Sequence, residues 1–270
     1  MDRRSYLASA GAVATVPLAG CAFDIPVNDA VTDTVTESYD VSGETVVSVT
    51  NRNGSVTVEP ASGDRLAVSA DRRAGSRAGL DSVSLDIVEG ERFVVAVRYA
   101  ASSDYSLRRA DLTVSLPSGV QIDQTNTVNG DVTVEDVPGD AVARTNNGDI
   151  SLDGVDGFVR ATTNNGSVTT RGTTGIAGLR ATNGPVDADL LAMDGDVDCQ
   201  TSNGPVTVSV GDGVAARARL STNNGSASVS GLPFEASADR RGYIEGRIRG
   251  GTDPLLSLGT NNGDVRLQSR

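Results

Sequence analysis

The chain has 270 residues, with no Lys, His or Trp and only 3 % aromatic residues, and it carries a formal charge of −12. Without His, a His-based catalytic triad and most zinc sites are excluded. The acidic balance argues against nucleic acid and anionic lipid surfaces as partners, and with Cys21 and Cys199 as its two cysteines the chain has no disulfide framework to build.

Residues 1–20 read as an export signal peptide rather than as part of a fold. Arg3 and Arg4 precede Tyr6-Leu7 and a weakly apolar run to Ala19, which is too short to span a bilayer. The pair resembles a twin-arginine export signal, although Asp2 stands where that motif usually has Ser or Thr. Leu18-Ala19-Gly20-Cys21 resembles a lipobox, which implies a lipidated Cys21 as the first mature residue and a membrane lipid as its partner. Removing Asp2, Arg3 and Arg4 with the signal takes the charge from −12 to −13. An acidic, Lys-free surface resembles the proteins of salt-loving archaea, so a halophilic exported lipoprotein on the outer face of the cytoplasmic membrane is expected. Residues 21–40 are polar and acidic without a clear period and read as a lipidated tether.

Residues 41–125 read as an irregular β half of the fold, or a cap. Val47, Val49, Val56 and Val58 alternate around Asn53-Gly54. Further alternating runs lie at Leu66–Ala70, Val83–Val88, Phe93–Tyr99 and Leu112–Leu116. Glu89-Gly90-Glu91 suggests a hairpin between two of them. Arg72–Leu80 reads as a surface loop, and no helix is expected.

Residues 126–270 carry a repeat. Asn-Gly recurs at Asn129-Gly130, Asn147-Gly148, Asn165-Gly166, Asn183-Gly184, Asn203-Gly204, Asn224-Gly225 and Asn262-Gly263. Successive glycines are 18, 18, 18, 20, 21 and 38 residues apart. The last interval reads as two periods with one copy worn away, its remnant near Arg241-Gly242-Tyr243-Ile244. A fixed period of this size is the mark of a stacked architecture. Five and three residues before each glycine stand small or apolar residues and Thr, such as Ala143 and Thr145; two and four after it stand residues such as Ile150 and Leu152. Period 2 on each side means strands with one face buried. The phase slips by one at Asn-Gly, so the chain turns a corner there, and glycine can supply the positive φ that such a corner needs. A meander of hairpins is the alternative. Pro185 and Pro205 directly follow the glycine, however, where a paired strand would need a donor. The expected fold is all-β: a parallel β-solenoid of ~18–20-residue coils, ~4.8 Å apart, with Asn-Gly corners and a thin core of small apolar residues.

In that register Cys199 falls in an inward column with Ala161, Leu179 and Leu220 and reads as a core residue. Four and two residues before the glycines stand outward, polar residues. Arg144, Asn146, Thr162, Asn164, Arg180 and Gln200 are the candidate binding residues, arranged as a flat polar lattice suited to a glycan or an ordered cell-envelope protein. Carboxylates at Asp187 and Asp189, or at Asp194, Asp196 and Asp198, leave open a carbohydrate-active enzyme on a parallel β-helix. The recurring Gly-Asp pairs match neither an EF-hand nor a calcium β-roll, and Ser or Pro replaces the Asp in other copies, so no metal and no cofactor is expected.

Repeats such as TNNGDISLDGV (145–155) and TTNNGSVTT (162–170), after an export signal and an irregular β half, resemble the toast-rack, or putative-adhesin, family of β-solenoid domains. The resemblance covers roughly residues 40–270. It implies a non-enzymatic cell-envelope domain, serving adhesion or scaffolding, or alternatively sensing envelope stress. It supplies no catalytic residues.

Overall fold

The computed structural model describes residues 30–90, 92–101 and 108–270. Cys21 and the expected export signal lie outside the described residues. The first half runs β1 (Val31–Tyr39), β2 (Val46–Thr50), β3 (Val56–Pro60), β4 (Leu66–Ala74), a one-turn helix α1 (Arg77–Asp81), β5 (Val83–Val88), β6 (Arg92–Tyr99), β7 (Arg109–Leu116) and β8 (Gln121–Asn126). The repeat region continues with β9 (Val132–Glu135), β10 (Ala141–Asn147), β11 (Ile150–Asp153), β12 (Phe158–Asn165), β13 (Val168–Arg171), β14 (Gly175–Asn183), β15 (Val186–Leu190), β16 (Val197–Asn203) and β17 (Val206–Val210). It ends with β18 (Ala216–Asn224), β19 (Ala227–Ser230), β20 (Phe234–Arg240), β21 (Tyr243–Ile248), β22 (Leu255–Asn262) and β23 (Val265–Ser269).

These strands form two sheets. One has the order β1-β4-β7-β3-β9-β11-β13-β15-β17-β23-β19, the other β20-β21-β18-β22-β16-β14-β12-β10-β8-β2-β6-β5. Each coil lays one strand in each sheet and turns between them at Asn-Gly. Pairing between coils is parallel and in register, as in Ala143↔Ala161 and Ile150↔Val168. The chain is therefore a parallel β-solenoid, and the hairpin meander is ruled out for the repeat region.

Alternation explains the core. Val56, Val132, Ile150, Val168, Val186, Val206 and Val265 stack through the first sheet, and all are at most 1 % exposed. Ala143, Ala161, Leu179, Cys199, Leu258 and Leu220 stack through the second. β-Branched residues suit these pleated, ladder-paired positions, and each fully buried Val or Leu contributes about 1.5–3 kcal/mol. Among the described residues Phe93 is the one buried ring, so stacked small side chains carry the burial that aromatics carry elsewhere.

Spatial order departs from chain order at both ends. At the first end β2 and β3 lie between β8 and β9 on one side and β6 and β7 on the other. Gly130 thus stacks directly on Gly54, 76 residues away. At the far end β22 and β23 insert between β16–β17 and β18–β19. This corrects the reading of the 38-residue interval as a lost copy. The extra length is the antiparallel hairpin β20–β21, which pairs with β18 and closes that end of the second sheet. Arg241-Gly242 is its turn, not a worn corner.

Two further expectations are corrected. Residues 31–39 are not tether but strand β1, paired antiparallel with β4. Its alternation was hidden because Asp33 and Glu37 share the half-buried face with Val31, Val35 and Tyr39. Arg72–Leu80 is not a loop: Arg72–Ala74 end β4, and α1 follows. Ser76 caps that turn by accepting from Gly79 N–H at 3.1 Å, and Leu80 is buried beneath it. The expected hairpin is present: β5 and β6 pair antiparallel at the edge of the second sheet, on either side of Glu89-Gly90.

Candidate functional site

The corners fix which way every coil presents its outer face. At each corner the Asn side chain donates to the Asn of the neighbouring coil. Asn129 Nδ2 donates to Asn53 Oδ1, Asn147 to Asn129, Asn165 to Asn147, Asn203 to Asn183, Asn262 to Asn203 and Asn224 to Asn262, each at 2.8 Å. Asn183 donates to Asn165 at 2.9 Å. Eight side chains thus form one continuous ladder. Beneath it, threonine hydroxyls donate to glycine carbonyls, as Thr145 does to Gly130 and Thr163 to Gly148, both at 2.9 Å. Ala181 occupies this column in one coil, so the Gly166 carbonyl receives no hydroxyl there.

Glycine is required at these corners for two reasons. Gly54, Gly130, Gly148, Gly166, Gly184, Gly204 and Gly263 have φ between 128° and 152°. A Cβ on Gly166 would also stand 2.0 Å from the Gly148 carbonyl oxygen. Gly225 is the exception to the expected positive φ, since it is not in the left-handed region. It belongs to the last coil, where no further rung holds it. At the opposite end Ala110 takes the glycine place, with its carbonyl against Gly54; the neighbour beyond it is the antiparallel strand β4, with Arg72 opposite Ala110.

The aspartates after several glycines are spent on this frame. Asp149 Oδ1 accepts from Ser167 N–H at 2.6 Å and from its hydroxyl at 2.9 Å. Asp264 does the same for Ser226, whose backbone N–H and hydroxyl hold its carboxyl below the usual range. They brace the next corner.

The outer face of the second sheet carries the candidate binding residues. Arg144 and Asn146 lie on β10, Thr162 and Asn164 on β12, Arg180 on β14 and Gln200 on β16. Asn146, Asn164 and Arg180 are exposed; Thr162 and Gln200 are half-buried. The face is not flat. A shallow depression of about 350 Å³ is lined by Arg180, Ala181, Thr182, Gln200, Thr201, Ser202, Ser221, Asn223, Gly259, Thr260 and Asn261. Arg180 and Gln200 enter it, whereas Arg144, Asn146, Thr162 and Asn164 lie outside it on the same face. Gly259 and Asn261 were missed, because in chain order nothing places them beside Gln200. Yet Gln200 pairs with Gly259, and Gly259 with Ser221. Gly259 leaves the gap in the row that makes the hollow.

The lining is polar and nearly neutral. Arg180 supplies the one charge and pairs with Asp198 at 3.3 Å; Gln200 Nε2 donates to the same carboxylate at 2.7 Å. Asn223 Nδ2 donates to Asn261 Oδ1 at 3.2 Å. Among the described residues no carboxylate lines the depression. The aspartates considered for catalysis are dispersed. Asp187 and Asp189 sit on β15 in the first sheet, near Arg171 at 3.6 Å and Arg270 at 3.1 Å. Asp196 accepts from Leu255 N–H at 2.8 Å, and Asp198 stands in the second sheet. Among the described residues no three His, Cys, Asp or Glu gather as metal ligands. Cys199 is fully buried, and burial, aided by the Asp198 charge, pushes its thiol up to about 12. It is a core residue and not a nucleophile.

A family model described as Toastrack DUF4097 matches residues 24–268. Among solved structures, a putative adhesin from Bacteroides fragilis is similar at 10 % identity, covering 87 % of this chain and 97 % of that one, with a TM-score of 0.41. A putative lipid binding protein from Parabacteroides distasonis is similar at 11 %, covering 87 % and 96 %, with a TM-score of 0.39. A putative cell adhesion protein from Clostridium sporogenes is similar at 9 %, covering 88 % and 100 %, with a TM-score of 0.37. No curated protein matches the chain.

Proposed function

The chain belongs to the Toastrack DUF4097 family, and from that premise we propose that it is a non-enzymatic binding module displayed at the cell surface. Its partner is a repetitive polar polymer, a glycan or an ordered envelope protein. The observation that carries this reading is the depression between β14 and β18, lined by amides and hydroxyls with a single guanidinium. Such a lining can donate and accept at many points, and it contains no acid–base pair to drive a reaction. Rows of equivalent groups, spaced by the coil repeat of ~4.8 Å, favour a partner that is itself periodic. Exposed polar contacts of this kind are individually weak, so affinity comes from several of them acting together.

The same reading places a lipid anchor at Cys21, outside the described residues, with the solenoid held at the membrane's outer face. The test is a screen of the mature chain against glycans and envelope fractions in molar salt. Arg180→Ala, Gln200→Ala and Asn261→Ala combined should lose retention with an unchanged far-UV spectrum. Asn146→Ala with Asn164→Ala, on the same face but outside the hollow, should lose less. Retention by the triple variant equal to wild type would remove the depression from consideration.

A further inference from the structure

We propose that Asn224 is a site of spontaneous covalent modification: its amide is converted to a carboxylate in the folded protein, while the other Asn-Gly pairs are protected. The chemistry needs only water. The Gly225 nitrogen, losing its proton, attacks Asn224 Cγ. An N–Cγ bond forms, the bond to the side-chain nitrogen breaks, and ammonia leaves with the proton. Water then opens the cyclic imide at either carbonyl, leaving Asp or its isomer with the chain routed through the side chain. Glycine in the second place favours this step, because no Cβ hinders the approach of its nitrogen.

Eight Asn-Gly pairs share that sequence, so sequence alone does not choose among them. The ladder does. In seven of them the glycine N–H is already donated to a neighbouring Asn carbonyl. Gly148 N–H bonds Asn165 O at 2.8 Å, Gly166 N–H bonds Asn183 O at 2.9 Å and Gly263 N–H bonds Asn224 O at 3.0 Å. Gly54, Gly130, Gly184 and Gly204 are held in the same way at 2.8 to 2.9 Å. A nitrogen held in a ladder cannot turn toward its own side chain without breaking that bond. Interior side chains are pinned twice, as Asn165 is by donating to Asn147 and accepting from Asn183.

Asn224 differs from the interior rungs on every count, and from Asn53, the other end of the ladder, in its free glycine N–H. Its coil is the last of the first sheet, and among the described residues β19 has no strand beyond it. Gly225 N–H takes part in no backbone hydrogen bond among the described residues. Gly225 is exposed and lies outside the left-handed conformation that the other seven adopt. Among the described residues the Asn224 side chain is held by one bond, to Asn262 Oδ1. Conversion would set a carboxylate against that same acceptor oxygen and open the last rung. In the isomer, the extra backbone atom would shift β19 against β23.

The experiment is peptide mapping of the folded full chain held at mildly alkaline pH, with fragmentation that separates Asp from its isomer. Conversion at Asn224 should outrun that at Asn147, Asn165 and Asn183 by about fivefold to thirtyfold, the ratio that one to two net hydrogen bonds supply. In denaturant the pairs should converge to comparable rates. Two results would overturn the proposal: Asn165 converting as fast as Asn224 in the folded chain, or Asn224 keeping its amide while the denatured control converts.

Discussion

Replacing Gly166 by Ala should destabilise the solenoid by about 2–5 kcal/mol. The first contribution is backbone strain. Gly166 has φ +148°, a region in which a residue with a Cβ costs of order 1–3 kcal/mol. The second is a collision, since the new Cβ would stand 2.0 Å from Gly148 O and 2.5 Å from Gly148 C. Relief requires the coils to part locally. That stretches the Gly148 N–H bond to Asn165 O at 2.8 Å and the Thr163 hydroxyl bond to Gly148 O at 2.9 Å, and each such bond has a net worth of about 1 kcal/mol. A domain of ordinary stability, ~5–15 kcal/mol, would survive this but with a clearly lower midpoint. Urea unfolding followed by far-UV circular dichroism measures it, and the slope reports whether coils unfold together. Gly195→Ala is the control: it has nothing within 4 Å and no left-handed φ, so it should be neutral within about 0.5 kcal/mol. Equal midpoints for the two variants would refute the account of the corners.

Ala181→Thr should restore the absent hydroxyl bond to the Gly166 carbonyl and stabilise by about 0.5–1.5 kcal/mol; a lower melting temperature would mean the column does not accept a methyl there. Cys199 should resist thiol reagents in the native state even at mildly alkaline pH, because its thiolate forms only near the pKa of about 12 that burial imposes, and it should react at once in denaturant. Rapid native labelling would contradict its 0 % exposure. Cys21→Ser should release the exported protein from membranes or block its processing, with unchanged retention and mass counting against the anchor.

The period, the two phases around Asn-Gly and the inward columns were legible because one residue type repeats at each place. Thr145, Thr163 and Thr201 each announce the same hydroxyl-to-carbonyl bond. Spatial order at the ends was not legible, for a physical reason. The corners at Asn224-Gly225 and Asn262-Gly263 are locally equivalent, and either could dock on Asn203-Gly204. What decides is the hairpin β20–β21, whose pairing with β18 fills the place on that strand's far side. The hollow at Gly259 depends on that choice, so its members were only half visible. The corner at Ala110 escaped notice because it lacks the Asn-Gly signature that identifies the rest.

The ladder of eight asparagines has a further property that follows from its donors all pointing one way. A peptide-like amide carries a dipole of about 3.5 D, and here seven donors in sequence face the same end of the stack. Turning one interior amide would break two bonds and set like atoms against each other, so the row reverses as a whole or not at all. Mutual polarisation strengthens that collective behaviour. The molecule therefore has an electrical sense along its axis without a long helix. Its Asn53 end carries the positive pole and its Asn224 end the negative, and a charge placed at the two ends would feel opposite fields.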